Sequence, residues 1–347
     1  MDACVDLRSD TVTRPTAGMR RAMAEARVGD DVLDGDPTAC RLQEHVAALL
    51  GKEAGLLVPT GTMSNAIALK VHTRPGDEVL MDQDAHSLHY EVGMPATIAQ
   101  VMTRQFRSHQ GVPDPREIAA CIRAETLHTP GTALIVLENT HNRAGGAVTP
   151  LEIHRAVYEI AQGRDVRVHL DGARLFHAAI ATGRTVAEYA QYADSVTIAL
   201  SKGLGCPAGS VLCGTRAFIE RARRVRKMLG GAMRQVGILA AAGLYALQHH
   251  VGRLHEDHAN AMRLAEGIRE IPGIVLQMPE IPTNMVYFQI PVDAGMFARR
   301  LAEEHGVLCL PVGAQQIRMV THLDVDAAGI ARAVEGVGRV MEQFRRA

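Results

Sequence analysis

Between about residue 40 and residue 215, short and continuously apolar segments alternate with helical patterns. This alternation narrows the possible folds more than any other feature of the chain. The apolar segments fall at residues 55–58, 78–81, 132–137, 167–170 and 195–200, and helical periodicity occupies 62–71 and 151–162. Residues 132–137 show no polar alternation, so both faces of that strand are expected to be buried. Buried strands separated by helices predict an α/β fold with a mostly parallel sheet covered on both sides.

The pattern changes after Leu212. A basic stretch at 221–227 leads to Gly230 and Gly231, and a long apolar helix at 235–248 reads as a connector toward a second domain. Strand-like segments near 274–277, 285–290, 308–310 and 317–320, with helices near 294–304 and 326–345, predict a smaller α+β domain of about 100 residues. The expected division is 1–245 for a large domain that includes the N-terminal segment and 246–347 for the small one. A chain of 347 residues, 47% of them hydrophobic, has the length and apolar content for two such units.

Composition removes several function classes. The formal net charge is -1, there is no Trp, and aromatics are 3%, which argues against a nucleic-acid surface or base-stacking platform. The longest apolar stretch, around 237–247, is too short to span a bilayer, and the N-terminal residues show no basic segment followed by an apolar run. The six Cys form no C-x-x-C pair and the 16 His form no H-E-x-x-H arrangement. The expectation is a cytoplasmic chain with reduced thiols, no membrane contact and no metal.

Three polar sites follow apolar strands. Asp171 comes directly after Val168, His169 and Leu170; Lys202 follows the segment 195–200 by two residues; and the turn 59–65, PTGTMSN, follows Val58. In an open parallel sheet, ligands bind beyond the carboxyl ends of the strands, so these positions are expected to converge. Gly61 allows close approach of an anion, and Thr62 offers a hydroxyl at a helix N-terminus, where free N–H groups favour phosphate. An ordinary helix cap would explain the turn equally well in isolation, and the same is true of Asp171. Lysines are usually at the surface. Lys202, however, follows a mostly apolar run and precedes glycines, and a desolvated lysine amine has a lowered pKa and forms Schiff bases. A buried carboxylate facing a pyridine nitrogen would keep that nitrogen protonated.

With the order of phosphate turn, aspartate and lysine established, the chain resembles the threonine aldolases, within the fold-type-I pyridoxal-phosphate enzymes. The motifs that carry the resemblance are DLRSDTVT at 6–13, GDDV at 29–32, PTGTMSN at 59–65, ENTHN at 138–142 and HLDGAR at 169–174. SKGL at 201–204, RKMLGGAMRQ at 226–235 and RMVTH at 318–322 complete the set, which spans nearly the whole chain in order. The resemblance implies a large domain with a mostly parallel seven-stranded sheet, a smaller α+β C-terminal domain, and a homotetramer with active sites at a dimer interface.

It also implies roles. Lys202 would carry pyridoxal 5'-phosphate, Asp171 would face its ring nitrogen, and Gly61 and Thr62 would bind its phosphate. Arg234, with Lys227 nearby, would reach the phosphate region from a neighbouring subunit. Arg318, Arg174 and Ser9 would hold the substrate carboxylate, a task suited to the arginine fork. His86 would stack on the cofactor ring and serve as a candidate proton acceptor, directly or through water, and His128 would lie near the substrate hydroxyl. Without the family match, His86 and His128 read as ordinary loop histidines, and Arg221, Arg223 and Arg224 as a solvated helix face. The implied reaction is retro-aldol cleavage of L-threonine or L-allo-threonine to glycine and acetaldehyde. β-Elimination, transamination or racemisation on the same cofactor is the nearest alternative. A non-catalytic scaffold would be expected to lack Lys202 or Asp171.

Overall fold

The computed structural model describes residues 4–346; residues 1–3, part of the N-terminal stretch read above for a leader pattern, and residue 347 lie outside the described residues. Seven strands form the central sheet: β1 (Ala54–Val58), β2 (Glu78–Asp82), β3 (Met102–Phe106), β4 (Thr132–Glu138), β5 (Arg167–Asp171), β6 (Ser195–Ala199) and β7 (Ser210–Gly214). Their order across the sheet is β1-β7-β6-β5-β4-β2-β3. β7 runs antiparallel to both neighbours, and the other adjacent pairs are parallel.

The apolar runs are buried on both faces, as the missing polar alternation predicts. Leu134, Ile135 and Val136 of β4 and Val196 and Ile198 of β6 are all buried. One face packs against the helices Pro37–Leu50, Leu151–Gln162 and Gly237–His249. The other packs against the helices Gly61–His72 and Arg216–Met228. Helix Gly237–His249 corresponds to the apolar stretch read as a connector. It packs on Ala17–Ala24 and Pro37–Leu50 within the large core, and only then does the chain pass to helix Leu254–Arg269.

A second, antiparallel sheet comprises β8 (Val275–Leu276), β9 (Met285–Gln289), β10 (Leu310–Gly313) and β11 (Gln316–Val320), in the order β8-β9-β11-β10. Val286, Phe288, Ile317 and Met319 form its core with residues such as Leu264, Phe297 and Val337. Val5 and Leu7 belong to this second core, and the short strand Val5–Asp6 pairs in parallel with Val307–Leu308. The Val320 N–H donates to the Leu7 carbonyl at 2.8 Å, which lays the N-terminal segment beside β11.

β1, β2, β4, β5 and β6 run in the same direction, so their carboxyl ends share one edge of the sheet. The turns that follow them carry Gly61, His86, Asn142, Arg174 and Lys202. Among the described residues, no helix is long and apolar enough to cross a membrane.

Candidate active site

At the centre of this edge, Asp171 is in register with Glu138 on β4 and Thr197 on β6. Asp171 is buried; its Oδ2 accepts from Asn65 Nδ2 at 2.8 Å and its Oδ1 from the Ala173 N–H at 3.1 Å. Burial by itself would raise its pKa, but the charges of His86 and Lys202 and the Asn65 hydrogen bond outweigh this and hold it below the ordinary value. An ionised carboxylate therefore stands deep in the cleft.

Lys202 lies in the turn after β6, closed by the Gly205 N–H donating to the Lys202 carbonyl at 2.8 Å. Gly203 is required there, because a Cβ at that position would stand 2.5 Å from His177 Nε2. Burial lowers the Lys202 pKa and the charge of Arg174 adds to the effect, against the attraction of Asp171, Asp10 and Glu138. An amine that loses its proton more readily is a better nucleophile toward an aldehyde.

The third element is the turn after β1. Thr60 caps the 12-residue helix Gly61–His72, its hydroxyl accepting from the Met63 N–H at 3.1 Å. The N–H groups of Gly61 and Thr62 occupy the first two helical positions and have no partner within the helix. A Cβ built on Gly61 would meet nothing within 4 Å, so this helix end opens onto free space. Free amides at a helix N-terminus fit a phosphate. Together with an activated amine and an ionised carboxylate, they fit a phosphorylated pyridine aldehyde.

His86 opens the short helix His86–His89 after β2. Its backbone N–H donates to Glu138 Oε2 at 2.8 Å, and its Nδ1 lies 2.8 Å from Glu91 Oε1. Burial would lower its pKa, but the Glu91 hydrogen bond and the nearby carboxylates of Asp171 and Glu138 raise it overall. Glu138 ties together two loops of the edge, since its Oε1 also accepts the Asn142 N–H at 2.8 Å.

The two arginines differ. Arg174 is buried and spends its fork on Asp10, with Nε to Oδ2 and Nη2 to Oδ1 both at 2.7 Å. Arg318, on β11, donates through Nη1 to Asn142 Oδ1 at 3.3 Å and through Nη2 to the Arg8 carbonyl at 3.1 Å. Among the described residues its buried Nε has no hydrogen-bond partner. Ser9 caps a short 3-10 turn, its hydroxyl accepting from the Thr11 N–H at 3.2 Å. Arg318 and Ser9 meet the carboxyl edge because the N-terminal segment runs between the small sheet and the large one.

Three predicted residues lie apart from this cluster within the chain. Lys227 is exposed at the end of its helix, and Arg234 is exposed with its Nη1 3.0 Å from Asp30 Oδ2. The neighbouring Arg226 is the buried member of the basic stretch, donating to the Leu57 carbonyl at 2.8 Å and pairing with Asp31 at 2.6 Å. His128 is exposed in the loop that precedes β4, at the amino end of the sheet.

The structure also gives roles to four residues to which the sequence assigned none. Asn65 holds Asp171, Glu91 holds His86, Glu138 ties the loops, and Asp10 neutralises Arg174. Asn65, Glu138 and Asp10 sit inside the motifs at 59–65, 138–142 and 6–13, whereas Glu91 lies outside all of them.

Comparison with known proteins shows the family to which the chain is similar. The β-eliminating lyase family model matches residues 6–291. Low-specificity L-threonine aldolase 1 of Arabidopsis thaliana is 45% identical over 333 residues, covering 94% of this chain and 93% of that protein. The low specificity L-threonine aldolase of Escherichia coli K12 is 43% identical over 329 residues, covering 94% of this chain and 96% of that protein. A solved structure of Leishmania major threonine aldolase superimposes with a TM-score of 0.79 at 21% identity, covering 97% of this chain and 99% of that one, a likeness of fold.

Proposed function

The chain belongs to the β-eliminating lyase family, among the threonine aldolases, and on that premise we propose the reaction and the role of each residue. The protein is a pyridoxal-phosphate-dependent carbon–carbon lyase that cleaves L-threonine and L-allo-threonine to glycine and acetaldehyde. The observation that carries the residue assignment is the meeting of Lys202, Asp171 and the open Gly61 helix end at one edge of the sheet.

Pyridoxal phosphate, when bound, supplies an electron sink for the pair left on Cα as the Cα–Cβ bond opens. Lys202 is the amine that would carry it. Asp171, held ionised, would keep its ring nitrogen protonated. Gly61 and Thr62, at the open helix end, would hold its phosphate. Arg318 and Ser9 would hold the substrate carboxylate and so orient the substituents on Cα. The unpartnered Nε of Arg318 supports that role. Arg174 has its fork on Asp10, so only its remaining N–H edge is left for the substrate carboxylate. His86 takes the proton from the β-hydroxyl.

Lys227, Arg234 and His128 are exposed in one chain, and that supports service in a neighbour's site within a homotetramer whose active sites lie at a dimer interface. The two apolar cores, one reaching Leu254 and the next beginning at Ala261 apart from Val5 and Leu7, support a large and a small domain whose division lies between 254 and 261, later in the chain than the expected 245. The compartment proposed is the cytoplasm.

Incubation with L-threonine and an aldehyde-reducing dehydrogenase tests the reaction. Acetaldehyde and glycine in equal amounts are expected. Ammonia with a keto acid would establish β-elimination instead.

A further inference from the structure

Resting on the aldolase reading, we infer that Glu91 is a positioning residue for bond cleavage: its Oε1 holds the His86 ring in the Nδ1-protonated form and leaves Nε2 bare to take the β-hydroxyl proton.

One buried hydrogen-bond chain runs from His72 through Ser195, His169 and Asn65 to Glu91 and His86. Burial pushes His72 down to about 3 and His169 down to about 4, so both rings are neutral and each carries one N–H. Asn65 Oδ1 can only accept, so His169 Nε2, at 3.3 Å, is the donor. His169 Nδ1 therefore accepts from Ser195 Oγ at 2.8 Å, which uses the single Ser195 proton. His72 Nε2 then donates to Ser195 Oγ at 2.7 Å.

Independently, Asp171 is held ionised and can only accept, which turns the Asn65 amide so that both Nδ2 protons point into the cleft. They go to Asp171 Oδ2 at 2.8 Å and to Glu91 Oε1 at 2.9 Å. Glu91 Oε1 is thus an acceptor already when it meets His86 Nδ1 at 2.8 Å, and the proton between them belongs to His86. Glu91 Oε2 is buried without a partner, so a proton taken up by Glu91 would sit there and leave Oε1 an acceptor. Which imidazole nitrogen is protonated is set by the bond made at the other, so Nε2 carries the lone pair. In the proposed step the β-hydroxyl proton moves to Nε2, and the O–H electron pair stays with oxygen to form the aldehyde carbonyl.

The charged groups around His86 are known from every side. Glu91 bonds its Nδ1, Glu138 at the end of β4 accepts its N–H, and Asp171 faces it from β5 with Lys202 beyond. The His141–Asp82 and Arg143–Asp84 pairs, at 3.5 and 3.0 Å, border the same loops. The carboxylates favour the His86 cation, which is inactive as a base. Replacing Glu91 by its neutral isostere removes one of them, lowers the His86 pKa, and moves the acid limb of the kcat profile to lower pH.

The test uses the holoenzyme. Glu91→Gln keeps the Oε1 acceptor and the packing; kcat should fall about tenfold with KM little changed, and the acid limb should shift downward. Glu91→Ala should cost about 100-fold in kcat. Nitrogen-15 spectra of histidine-labelled holoenzyme, with His86 assigned from a His86→Gln sample, give a readout independent of turnover. Above the His86 titration, the proton should sit on Nδ1 in the wild type and in Glu91→Gln, and Nε2 should be protonated in Glu91→Ala. A wild-type ring protonated on Nε2 would overturn the assignment. So would a Glu91→Gln enzyme whose kcat and pH profile match the wild type. A wild-type holoenzyme that releases no aldehyde would refute the aldolase reading instead, while the tautomer would still decide the hold of Glu91 on His86.

Discussion

The carboxyl edge of the central sheet and the segment from Lys227 to Arg234 come from the same set of motifs, yet the fold treats them in opposite ways. Asp171, Asn65 and Glu91 are buried and bonded to one another across a strand, a helix and a loop of a single chain. Arg234 has an exposed side chain paired with Asp30, and Lys227 stands in the open. A buried hydrogen-bonded network is rigid and costly to leave half-made, whereas an exposed ion pair contributes about 0–1 kcal/mol and is easily released. The first region is thus tied together by bonds within one chain, whereas the second leaves its charge at the surface.

Mutations can break this contrast in order of effect. Lys202→Ala should abolish threonine cleavage and the visible absorbance of the bound cofactor; a coloured, active variant would remove the centre of the account. Arg318→Ala should raise KM for threonine about 10- to 100-fold, as loss of charge-assisted hydrogen bonds worth about 1.5–3 kcal/mol implies, with kcat less affected. An unchanged KM would move the carboxylate site to Arg174. Arg234→Ala should act more mildly, weakening cofactor retention about fivefold, in line with an exposed ion pair worth about 1 kcal/mol. Mixing Arg234→Ala with Lys202→Ala sharpens this. If Arg234 serves a partner's site, mixed oligomers contain sites with both an intact Lys202 and an intact Arg234, and cofactor retention in them should recover. A mixture no better than its parts would place Arg234 in its own chain's site.

The same contrast explains what was legible in the sequence. β4 is readable because nothing polar interrupts residues 133–137, and β6 because Val196 and Ile198 through Leu200 dominate a run that holds one polar residue, Thr197. β3 is not, since an edge strand reading Met-Thr-Arg-Gln-Phe keeps polar side chains in solvent and shows no apolar stretch. β7 reads Ser-Val-Leu-Cys-Gly, three apolar residues between a serine and a glycine, and so shows no extended apolar run. Lys202, Asp171 and Gly61 each follow a strand, so their meeting could be expected from parallel topology. Asn65 and Glu91 act only because three elements meet around them, and no spacing within one element records that. Arg174 was read as a substrate ligand, but Asp10, 164 residues away in the chain, takes its fork.

The most direct test of the central claim is peptide mapping of the holoenzyme after borohydride reduction, which fixes the cofactor to whichever amine carries it. The peptide containing Lys202 should bear the phosphopyridoxyl mass. That mass on any other lysine, or on none, would contradict the account.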